Sequence, residues 1–103
     1  MHLLSTLVNR TVDNDMDTEA VMAIIEKFSP LINKLARKLE FYGRSDLIIE
    51  ILNVLKNFNK EKLRNFESEG QLFNYFKVSI INRYIKLLKQ DFKYVFNFAS
   101  IKV

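Results

Sequence analysis

Only two glycines and one proline interrupt 103 residues. These are the residues that most readily end helices and build the tight turns of sheet proteins. A chain with so few of them has long stretches in which nothing breaks an i→i−4 hydrogen-bond ladder. Leu, Ile and Lys are frequent, while Thr is sparse, and the strong helix formers Leu and Lys favour helix over sheet. With 49% hydrophobic residues the chain can bury one compact core. The expected fold is all-α, a small bundle of about four to five helices.

The same composition removes several chemistries. The chain has no cysteine, so disulfides, thiolate metal sites and thiol catalysis are excluded. His2 is the single histidine and lies near the start, which argues against a histidine-based metal or acid–base site. No metal, cofactor or enzymatic activity is expected. No apolar run approaches the ~18 residues that would span a bilayer, and the start lacks the basic and apolar regions of a signal peptide. A cytoplasmic protein without membrane contact is expected.

Helices can be placed from hydrophobic period and caps. A short one is expected from Leu3 to about Asn9, then a turn at Asp13–Asp15. Asp17 or Thr18 caps the next helix, whose core face is Ala20, Ile24, Ile25 and Phe28. At Ser29-Pro30 it should kink or restart, because proline has no N–H to donate. Leu31, Ile32, Leu35, Ala36 and Leu39 continue the core face, and Gly43 suits the stop. Ser45 caps a helix to about Phe58. Residues 59–70 read as irregular, anchored by Phe66 and Leu63. The last amphipathic helix runs from about Gln71 to Lys93.

Charge is unevenly spread along these elements. Residues 1–30 hold two basic and five acidic side chains, whereas residues 71–103 hold six basic and one acidic. An anionic partner is therefore steered to the C-terminal third. On the last helix Tyr75, Ser79, Asn82, Lys86, Lys89 and Lys93 recur at steps of four and three, forming one stripe. Phe73, Phe76, Ile80, Ile81, Tyr84, Leu87 and Leu88 occupy the opposite arc and would dock the helix. An aromatic ring, an amide and a row of ammonium groups suit stacking, base-edge bonding and phosphate pairing. The competing explanation is a lysine-rich face that only keeps the chain soluble.

The Ser45–Phe58 helix carries a second stripe, Asp46, Glu50, Asn53 and Asn57, opposite Leu47, Ile48, Ile51, Leu52, Val54, Leu55 and Phe58. Ile49 sits at its edge, exposed. Either this is a solvated face with Asp46 at the helix dipole, or it receives a basic protein partner. The stripe also argues against a helix-turn-helix over residues 31–58, which would press Asp46 and Glu50 against phosphates.

Three segments then carry a resemblance: Phe28-Ser-Pro-Leu-Ile-Asn-Lys-Leu-Ala-Arg-Lys-Leu39, Ser45-Asp-Leu-Ile-Ile-Glu-Ile-Leu52, and Tyr75-Phe-Lys-Val-Ser-Ile-Ile-Asn-Arg-Tyr-Ile-Lys-Leu-Leu-Lys89. In order and spacing they resemble region 2 of sigma-70-family factors. The likeness is to the extracytoplasmic-function type and the divergent subgroup driving clostridial toxin and bacteriocin genes. It covers nearly the whole chain, with 1–98 as the region 2-like domain and 99–103 as a tail or the start of a linker.

The resemblance implies a bacterial transcription-initiation module. Asp46, Ile49, Glu50 and Asn53 would bind the β′ clamp helices of core RNA polymerase, although many family members have Gln where Ile49 stands. Tyr75, Ser79, Asn82, Arg83, Lys86, Lys89 and Lys93 would engage the promoter −10 element, with its non-template strand as the target. The family usually has Trp-Leu where Tyr75-Phe76 stand. The loop at about Glu67–Gln71 would correspond to the one that captures a flipped base. Residues 91–103 are too short to supply region 4, which reads the −35 element. Either the chain is an isolated region 2 fragment or it works with a separate region 4 protein. An anti-sigma factor is a further partner the resemblance implies. Alternatively the chain is a polymerase-binding co-regulator or decoy that never opens DNA.

Overall fold

In a computed structural model, the described residues are 3–40 and 42–101, with side chains described through Lys93. They form five helices and no strand: α1 Leu4–Asp13, α2 Thr18–Ala36, α3 Arg44–Lys56, α4 Lys60–Arg64 and α5 Glu69–Ile101. The all-α bundle expected from composition is what the chain adopts. At about 1.5 Å per residue α5 extends for about 50 Å, close to the 55 Å long axis of the molecule. Helices α1, α2 and α3 pack along it, α3 most extensively, while α1 rests chiefly on α2 and α4 packs on α1.

One core joins all the elements except α4, which contributes only the half-buried Leu63. It is built from Leu4, Leu7 and Val8 of α1, Ile24, Phe28 and Ile32 of α2, Leu47, Ile51 and Leu55 of α3, and Leu72, Phe76, Ile80 and Leu87 of α5. Phe28 stacks on Phe73 and Phe76 at ring distances of 4.7 and 5.5 Å, adding oriented aromatic contact to simple burial.

Several boundaries depart from the sequence expectation, each for a local reason. Helix α1 runs on to Asp13 because Thr11 is itself buried, its hydroxyl donating to the Val8 carbonyl at 2.7 Å. The following turn places Asp15 and Met16 at φ 47° and 66°. Asp17 is the N-cap of α2, its carboxylate accepting the Ala20 N–H at 3.1 Å. That bond and the Arg10 guanidinium hold Asp17 below the usual carboxylate range, against a smaller opposing effect of burial.

Helix α2 does not restart at Pro30 but passes through it. Ser29 donates its hydroxyl to the Ile25 carbonyl at 3.1 Å and accepts from Arg44 at 3.1 Å, bracing the turn where the proline N–H is missing. The helix then ends at Ala36, well before Gly43, through two tight turns closing on Leu35 and Ala36. Gly43, expected as a C-terminal stop, is instead the N-cap of α3 with extended backbone, and Ser45 lies inside the first turn. Residues 60–64, expected to be irregular, form α4, while Phe66 and Leu63 do anchor this segment to the core.

Two carboxylates on the inner side of α5 fasten it at both ends of its described side chains. Glu69 accepts the Leu4 and Ser5 N–H groups at 2.9 and 2.8 Å, satisfying the start of α1 from a residue 65 positions away in sequence. Asp91, 5% exposed, accepts the Glu40 N–H at 2.7 Å. Partial burial pushes the Glu69 carboxyl up, but the Ser5 and Leu4 hydrogen bonds and nearby Lys27 outweigh it and hold the group below its ordinary value. A depressed carboxylate stabilises the fold above its unfolded pKa of about 4.3, and that contribution is lost as pH falls through the lower folded value. Glu69→Ala should cost about 1 kcal/mol at neutral pH, as loss of a helix cap does. Urea denaturation should show the gap between the two proteins narrowing below about pH 4.

Candidate nucleic-acid and protein interfaces

The α5 stripe lies on the flank of the helix rather than opposite its core face. Asn82, Lys86, Lys89 and Lys93 are exposed, and Arg83 is half-buried. The ion pairs among the described residues involve Arg10 and Lys60, so the three lysines of this row remain available to an anion. Tyr75 is placed differently from the sequence expectation. Its ring is half-buried, edge-on to Phe58, Phe66 and Phe76 at 5.8, 5.3 and 6.3 Å.

Lys62 of α4 stands over the Tyr75 ring at 5.1 Å and over Phe58 at 5.2 Å. This cation–π contact brings a further ammonium to the upper end of the basic row. Residues 59–70 read as irregular from sequence, and only the helix capped by Asn59 fixes where Lys62 points. Ser79 is half-buried and spends its hydroxyl on the Tyr75 carbonyl at 3.0 Å. The opposite arc also divides: Phe76, Ile80 and Leu87 are buried, whereas Phe73 and Leu88 keep 42% and 40% of their surface.

Residues 67–71 are tightly held. The Gln71 N–H donates to the Ser68 hydroxyl at 3.1 Å, while the Gln71 side-chain oxygen accepts the Glu67 N–H at 2.8 Å. This is a close variant of the capping box. Beside it a cleft of about 230 Å³ opens between the start of α1, α4 and α5. Leu3, Leu63, Phe66 and Leu72 form its walls, with Ser5, Glu67, Ser68 and Glu69 supplying polar groups.

On α3, Ile49 is 50% exposed and Asn53 is exposed, as expected. Glu50 is half-buried. Asp46 has a structural task, its carboxylate accepting the Gly43 N–H at 2.9 Å at the helix start. Between α2 and α3 runs an apolar groove of about 720 Å³ lined by Met22, Ile25 and Ile48, with Glu19, Glu26 and Arg44 also lining it. Met22 is 60% exposed. The spacing of Glu19, Met22 and Glu26, three and four residues apart, places them on one outer stripe of α2. That spacing is legible in the sequence.

No protein-family model, curated protein or solved structure matches this chain.

The α3 geometry separates capping from surface roles. Asp46→Ala should lower stability by about 1 kcal/mol, while Ile49→Ser should stay within about 0.5 kcal/mol of the parent. Gly43→Ser should stabilise by about 0.5 kcal/mol, since the site has open space for a side chain and serine completes a capping box with Asp46. Thermal melts of the three variants check all of this.

Proposed function

We propose that the chain is a sigma region 2-like transcription-initiation module, acting without chemistry of its own. Helix α3 docks on the clamp helices of core RNA polymerase, and the basic flank of α5 meets the −10 DNA strand. The observation carrying this reading is the exposed row Asn82, Lys86, Lys89 and Lys93, extended by Lys62 above Tyr75. An amide between ammonium groups at this spacing matches a strand whose phosphates are paired while one base edge is read. The cleft beside residues 67–71 is of a size for a single extruded base.

The polymerase face rests on Ile49, Glu50 and Asn53, with the acid-flanked groove around Met22 as its neighbour. Apolar surface edged by carboxylates suits a basic, partly apolar protein surface. Asp46 contributes by holding the first turn of α3 as well as by its charge.

One observation favours the second reading, a polymerase-binding co-regulator that never opens DNA. The Tyr75 ring is already engaged by Lys62 and three aromatic neighbours, so stacking on a base requires Lys62 to move aside.

Because Asp46 also caps α3, the discriminating substitutions are Ile49→Ser with Glu50→Lys, and Lys86→Glu with Lys89→Glu. The first pair should abolish capture of core polymerase and spare binding to a single-stranded −10 oligonucleotide. The second should spare polymerase and reduce the salt slope of oligonucleotide binding by about 0.7 for each lost phosphate contact. Retention of polymerase-dependent promoter opening by both double variants would refute the first reading. Polymerase capture without any salt-sensitive oligonucleotide affinity would establish the second.

A further inference from the structure

Helix α5 is apolar on two sides. Besides the buried face, Val78, Ile85, Leu88 and Phe92 keep 44%, 41%, 40% and 74% of their surface, and Ile81 is half-buried between them. These five positions recur at steps of three, four, three and four, the period of a coiled-coil seam. They fall within an arc of about 80°, narrow for a helix lying on a membrane and suited to a single facing helix.

The charge beside this seam is of one sign. Both acids of residues 69–93, Glu69 and Asp91, are turned inward onto backbone N–H groups. Lys77 and Lys89 are exposed at the seam's edges, with Lys86 and Lys93 beyond. A second copy laid on the same seam would set lysine rows near one another, which is unfavourable. A helix with acidic edges would instead find a cation along each side.

We propose that the outer seam of α5 is a docking site for an amphipathic helix of a protein partner, with apolar a and d positions and acidic flanks. Lys89 borders both this seam and the basic row, so such a helix competes with a nucleic-acid strand for that lysine. The site depends on α5 alone and stands whether or not the polymerase reading holds.

The test uses two synthetic three-heptad peptides with the same Ile and Leu seam, one flanked by Glu and one by Lys. The full chain should bind the Glu peptide, seen by fluorescence anisotropy, and the Lys peptide at least tenfold more weakly. Ile85→Ser with Leu88→Ser should weaken Glu-peptide binding at least tenfold, with an unchanged circular dichroism melt confirming the fold. Equal binding of both peptides, or full binding by the seam variant, would overturn the proposal. So would micromolar self-association in sedimentation, which makes the occupant a second copy. Partition of the chain onto anionic phosphatidylserine vesicles that the seam substitutions abolish, without peptide binding, would assign the seam to a lipid surface instead.

Discussion

The bundle depends on how α5 is rotated about its own axis, and two carboxylates fix that rotation. Glu69 and Asp91 stand 22 residues apart, about 33 Å along the helix and within about 40° of one another around it. Each accepts backbone N–H groups from a distant segment, at 2.7 to 2.9 Å. Charge-assisted bonds to backbone donors are short and directional, and a helix held so at two points cannot roll without leaving donors unpaired. Hydrophobic burial of Leu72, Phe76, Ile80 and Leu87 supplies the larger driving force. On a helix apolar on two sides, however, burial alone leaves the choice of inner face underdetermined. The carboxylates decide it.

That choice sets which residues meet solvent. Once the Leu72–Leu87 line is inward, Asn82 and the lysines fall on a flank, and Val78, Ile85, Leu88 and Phe92 fall outside. The same helix therefore offers a basic row and an apolar seam on adjoining sides. On α3, by contrast, the exposed Ile49 and Asn53 stand beside the half-buried Glu50 and Asp46, the latter holding the Gly43 N–H. The proposed joining of a protein to a nucleic acid rests on these two unlike surfaces, carried on one core.

Much of this was legible in the sequence because it rests on local period. The scarcity of Gly and Pro gave the helical class, and the 3.6-residue pattern of α2 and α3 gave their buried faces, including the exposure of Ile49. The α2 cap was legible as Asp17 or Thr18, and Asp17 takes it. What failed was long-range or cooperative. Nothing local predicts that Glu69 caps α1 or that Asp91 holds Glu40, since their partners lie 65 and 51 residues away. Gly43 was misplaced because glycine serves both helix ends. On α5, with apolar residues on two sides, the stripe opposite the polar row is only partly the buried one: Phe73 and Leu88 stay exposed. Tyr75, expected outside, is half-buried beneath Lys62. Helix α5 also continues past Lys93, the end its amphipathic pattern suggested, to Ile101.

The central claim is that α3 and the α5 flank serve two different macromolecules at once. Site-specific photocrosslinking tests it most directly, with a photoreactive side chain placed at position 49 or 82 of the full chain. In a mixture with core RNA polymerase and a −10 promoter duplex, the account predicts crosslinks from position 49 to the β′ subunit. Position 82 should crosslink to the non-template strand in the same complexes. Crosslinks from position 82 to polymerase protein alone, or none from position 49 to β′, would contradict it.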